Sequence, residues 1–152
     1  MASTTACGTT PVGGAGGQGG APAGDASTAP VYEIGRYIGG FDRLSIVKRD
    51  RARDYCVAIA LVSPGRAPVG LELPDAWGLE GVSAADSAEA CPRAIGVPES
   101  TSVSGRIAWA SVGTTGWPCS IDLDVTLTFT PGTHVPATDR LQAKGVGAPC
   151  ER

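Results

Sequence analysis

The sequence predicts an all-β fold: an antiparallel β-sandwich of six to eight strands, stapled by disulfides and interrupted by one short helical insertion. Three observations support it. From Ser120 to Thr130, the apolar residues Ile121, Leu123, Val125, Leu127 and Phe129 alternate without exception with Asp122, Asp124, Thr126, Thr128 and Thr130, the period of a strand with one buried and one wet face. Tyr55 to Val62 reads YCVAIALV, apolar on both faces as a doubly covered central strand is. Gly and Pro, at 22 and 12 of 152 residues, supply turn signals between these runs, at Gly39-Gly40, Pro64-Gly65 and Pro131-Gly132.

The elements follow in order. Val31 to Ile38 places Tyr32, Ile34 and Ile38 on one face and reads as a first strand ended by Gly39-Gly40. A second runs from Arg43 to Lys48. The charged stretch Lys48-Arg49-Asp50-Arg51-Ala52-Arg53-Asp54 then reads as a solvated hairpin connection to the central strand. Pro64-Gly65 and Pro68 bracket a turn, and Val69 to Leu73 gives a short strand closed by Pro74. In LEGVSAADSAEACP, Ser83 with Asp86 three residues on forms a capping-box pattern, the alanines favour helix and Pro92 stops it; this is the expected helical insertion.

Ser102 to Val112 pairs naturally with Ser120 to Thr130. If Trp109 stands opposite Ile121, then Ile107 meets Leu123 and Val103 meets Leu127, so one register matches every apolar residue. The same register sets Arg106 opposite Asp124, a cross-strand pair worth about 0.2 to 1 kcal/mol. A last strand near Arg140 to Val146 follows the turn at Pro131-Gly132. Residues 31–152 therefore form one β-sandwich domain.

Residues 1–30 are different. From Gly8 to Pro30 there are eight glycines, three prolines and one charge, Asp25, too little apolar surface to offset the entropy of ordering. Gly14, Gly16 and Gly19 satisfy G-x-G-x-x-G, but no strand precedes and no helix follows, so the segment reads as a spacer and not as a nucleotide site.

Twelve basic against 15 acidic residues, a net charge of −3, disfavour an electrostatic grip on nucleic acid or anionic lipid. No run of 18 apolar residues occurs, so any membrane association needs a tether. Asn is absent, which removes N-glycosylation sequons, and a composition rich in Ala, Gly, Pro and Arg but poor in Lys suggests a GC-rich bacterial source.

Of five cysteines, Cys56, Cys91, Cys119 and Cys150 lie in the domain and Cys7 in the leader. There is no C-x-x-C, and His134 is the one histidine, so disulfides account for the set better than zinc does. Three connectivities are open. Cys56 with Cys91 and Cys119 with Cys150 are favoured, because each ties a loop or terminus to a strand; four free core thiols are the alternative. Two disulfides imply export.

The run Thr4-Thr5-Ala6-Cys7-Gly8 before a Gly/Ala/Pro-rich tether resembles the maturation site of bacterial exported lipoproteins. That resemblance covers some twenty-five residues, with Thr4 where Leu is usual. It implies a signal peptide ahead of Cys7, acylation of Cys7 and, with Gly8 rather than Asp following, delivery to the outer membrane. The folded part resembles no characterised family.

The candidates for chemistry are few. His134 lies in PGTHVP, and no G-x-S-x-G elbow accompanies it, so a serine triad is not expected. Asp122 and Asp124 share a strand face and could serve hydrolysis or calcium, yet they face water and lack the oxygens calcium requires. Trp109 belongs to the core. Trp77 and Trp117 stand in Pro/Gly-flanked loops, as candidates for stacking on a glycan or anchoring a protein, or as plugs at the ends of the sandwich. No cofactor is implied. The expected function is that of a non-enzymatic, exported, lipid-anchored cell-surface protein, contacting the membrane through its anchor only; a soluble carbohydrate- or calcium-binding module is the alternative.

Overall fold

The computed structural model describes residues 28–37, 40–91, 100–131, 135–147 and 150. Among them lie eight strands: β1 (Val31–Tyr37), β2 (Asp42–Asp50), β3 (Tyr55–Ser63), β4 (Leu71–Glu72), β5 (Gly78–Ala85), β6 (Ser100–Val112), β7 (Pro118–Phe129) and β8 (Thr138–Gly147). They form two four-stranded sheets, ordered β1-β2-β3-β5 and β4-β6-β7-β8. One hydrophobic cluster joins them: Leu44, Ile46, Val57, Ile59, Leu61 and Val82 from the first sheet pack with Ile107, Ile121, Leu123, Val125, Leu127 and Leu141 from the second. This is the predicted sandwich, stapled by Cys56–Cys91 and Cys119–Cys150, whose Cα atoms lie 5.4 and 5.0 Å apart.

The β6–β7 register is the expected one, with Val103 opposite Leu127, Ile107 opposite Leu123 and Trp109 opposite Ile121. Its inward residues are buried because the period-two pattern leaves them no other face. β3 is buried from Tyr55 through Leu61. Its inner face fills the main core, while Ala58 and Ala60 on the outer face are covered with Val47 from β2. All neighbouring strands are antiparallel except β4 and β6, which run parallel over Leu71–Glu72 and Gly105–Arg106.

Two expectations are corrected. The segment expected to be helical contains β5, and no helix occurs among the described residues. Gly78–Ala85 pairs with β3, Val82 opposite Ile59 and Ala84 opposite Val57. A central strand apolar on both faces exposes a whole row of backbone donors and acceptors on its free edge, and satisfying that row outweighs the helical preference of Ala84 and Ala85 in a segment whose Gly78, Gly81 and Val82 are poor helix formers. The register shifts at Ala60/Leu61, a bulge that turns Glu80 outward to Arg43, 2.9 Å away.

The second correction concerns the charged run. β2 does not stop at Lys48 but continues to Asp50, leaving residues 51–54 as the turn. Alternation places Lys48 and Asp50 on the same inward face as Leu44 and Ile46, so two residues of the supposed loop tip lie inside the sandwich.

Candidate functional site

The two ends of the sandwich differ in chemistry. Val31 opens β1 opposite Arg49, so the chain enters at the end that holds the 51–54 turn and the Cys56–Cys91 disulfide. At the other end the closing residues of β1, the first of β2, and the β6–β7 connection gather. There Arg36 Nη2 donates to the Pro118 carbonyl at 2.6 Å and ties the sheets together. Tyr37, Phe41 and Val112 are exposed at this end, at 44, 53 and 53%.

Beside them Trp77, Trp109 and Trp117 form a cluster. Trp77 meets Trp109 edge-on, with centroids 5.4 Å apart, and Trp117 at 5.7 Å, an arrangement that sets the positive ring edge against the negative face. Tight backbone turns place them. Trp77 N–H donates to the Pro74 carbonyl at 3.1 Å after Ala76 adopts a φ of 65°. Gly113 N–H donates to the Trp117 carbonyl at 2.8 Å, and Gly113 sits so close to the Cys119–Cys150 sulfurs that a Cβ would crowd them. All three indoles are partly buried against the core. Trp77 and Trp117 thus spend much of their ring surface on packing and close this end, leaving Tyr37 and Phe41 as its exposed aromatics.

On the outer face of the second sheet, a shallow depression of about 250 Å³ is lined by Arg106, Ala108, Asp122, Asp124, Gln142 and Lys144, among others. Its carboxylates are already engaged. Asp124 accepts from Arg140 Nε at 2.9 Å and Nη2 at 3.0 Å, and this guanidinium holds its carboxyl below the ordinary carboxylate range. Arg106 stands opposite Asp124 as the register requires, but its nearest acidic partner is Glu72 at 3.8 Å, because Arg140 meets Asp124 with a two-pronged fork from β8. Asp122 accepts from the backbone N–H of Gly145 at 2.8 Å and caps the bulge in β8. Neither carboxylate offers a free ligand set, and no cluster of three metal-ligating side chains occurs among the described residues.

The most unusual chemistry lies in the interior at the chain-entry end. Lys48 and Asp139 are 2 and 4% exposed, and Lys48 Nζ lies 2.6 Å from Asp139 Oδ1 and 3.1 Å from the Tyr55 hydroxyl. Asp139 Oδ2 is buried with no hydrogen-bond partner. The Tyr55 phenol is pushed far above its ordinary value, first by burial and then by the negative charge of Asp139 and a hydrogen bond to it, so it keeps its proton. Asp50, also buried, accepts from the Arg53 backbone N–H at 3.0 Å and from its guanidinium at 3.0 and 2.7 Å. Burial alone would raise the Asp50 carboxyl; Arg53 outweighs it and leaves the group lowered. The inward period of β2 carries the one sequence signal for this cluster. Reading it requires knowing that Asp139, 91 residues away, arrives on β8.

Cys7 and His134 lie outside the described residues. No family model, curated protein or solved structure matches the chain. Among the described residues no helix is long and apolar enough to cross a membrane.

Proposed function

We propose that the chain is a non-enzymatic exported protein, lipid-anchored through Cys7 at the outer membrane or cell surface, whose β-sandwich presents its aromatic end to a protein or glycan partner. The observation that carries this reading is the pair of disulfides, one at each end of the sandwich, since such bonds persist in oxidising compartments. The polarity of the domain supports it. β1 opens beside Arg49, so Tyr37 and Phe41 lie at the end of the sandwich opposite Val31, the residue from which the chain leads back towards Cys7. The alternative of a calcium-binding module is weakened by the engagement of Asp122 and Asp124. A glycan remains one of the partners that an aromatic end can hold.

The test is metabolic labelling with a fatty-acid analogue in the native host, followed by detergent phase partition. The wild-type protein is expected to carry label and enter the detergent phase, and Cys7→Ser to lose both while keeping its disulfides. An unlabelled wild-type protein in the aqueous cell interior would defeat the proposal.

A further inference from the structure

We propose that Lys48 and Asp139 condense to an intramolecular amide, a covalent bridge between the two sheets formed by the folded chain itself. The geometry points to it in three ways. The lysine nitrogen and the carboxyl group are in contact, at 2.6 Å, between strands of opposite sheets. Both are sealed from water, at 2 and 4% exposure, in an interior where hydrolysis is suppressed and separated charge is poorly solvated. The second carboxyl oxygen, Oδ2, has no hydrogen-bond partner, although a permanently ionised buried carboxylate requires its lone pairs satisfied. Holding two reactants at contact in a fixed orientation also removes the entropic part of the barrier to their reaction.

The step balances without any co-reactant. A proton passes from the ammonium to the carboxylate, leaving a neutral amine beside a carboxylic acid. The nitrogen lone pair attacks Cγ, forming the N–C bond. The C–O bond to the hydroxyl oxygen breaks, and that oxygen departs with the nitrogen's remaining surplus proton as one water. The Tyr55 hydroxyl, which accepts from Nζ at 3.1 Å, is placed to relay that proton. Asp50 is held by Arg53 and takes no part. The product joins β2 to β8 and closes a loop across a sequence separation of 91.

The proposal does not depend on the lipid anchor or on export. It is tested on the purified full chain, reduced, alkylated and denatured. The expected intact mass is one water below that of the alkylated sequence, and a tryptic digest is expected to yield a branched peptide containing both Lys48 and Asp139, with no cleavage after Lys48. Asp139→Ala is expected to show the full mass. Asp139→Asn, which would react by losing ammonia, is expected to reach the same final mass as the linked wild type. A wild-type chain of full mass, or a water loss that fragmentation places elsewhere, overturns the proposal.

Discussion

Lys48 is the residue on which the interior at the chain-entry end depends. A lysine and an aspartate taken from water each incur a desolvation penalty that only the partner offsets. Asp139→Ala loses the proposed link and leaves the Lys48 ammonium stranded in the interior, and should therefore cost at least about 3 kcal/mol, the lower bound for stranding one member of a buried pair, read as a lowered urea midpoint. Adding Lys48→Met should recover part of that loss. Tyr55 gives a second prediction at this scale. Its folded value lies well above the ordinary 10.0, so its contribution to stability is full below about pH 10 and is lost as the pH rises toward the folded value. Phenolate absorbance of Tyr55 should appear only together with unfolding, as the difference between wild type and Tyr55→Phe shows. Ionisation near pH 10 in a still-folded protein would contradict this.

Among the elements, β6, β7 and β8 depend on two glycines in different ways. Gly105 has a φ of 114°, and a Cβ there would run into the backbone carbonyl of Asp124 on β7. Gly145 has a φ of 64° with open space around it. Gly105→Ala should thus cost at least about 2 kcal/mol, from strain plus overlap, whereas Gly145→Ala should cost about 1 kcal/mol, from the left-handed conformation alone; thermal unfolding of the two variants compares them directly. The β6–β7 register was legible in the sequence because both strands have one wet face, and alternation then admits one alignment. β5 was not legible, since its alanines favour a helix locally while the otherwise unpaired edge of β3 decides their structure. The end of β2 is not legible for a related reason: the charged positions Lys48 and Asp50 look like a loop until the partners Asp139 and Arg53 are seen to meet them. The candidate site was legible only in part. Trp77 and Trp117 are legible as loop residues from their Pro and Gly neighbours, but their contact with each other and with Trp109 of β6 joins segments distant in sequence, which no local pattern shows.

For the whole molecule, two four-stranded sheets share one core, and covalent links secure opposite ends of it. Opening the Cys56–Cys91 link, with its 35-residue separation, by Cys56→Ala with Cys91→Ala should lower stability by about 3 to 4 kcal/mol on the chain-entropy account, measured by denaturant unfolding. A domain fastened in this way suits an environment without reductants, and the proposal that the chain works outside the reducing cell interior rests on these bonds. The most direct test is to alkylate thiols in intact native cells before lysis and weigh the protein with and without subsequent reduction. Cys56, Cys91, Cys119 and Cys150 should resist alkylation until reductant is added. Alkylation of all four at the first step would contradict the disulfides in the living cell, and the case for export with them.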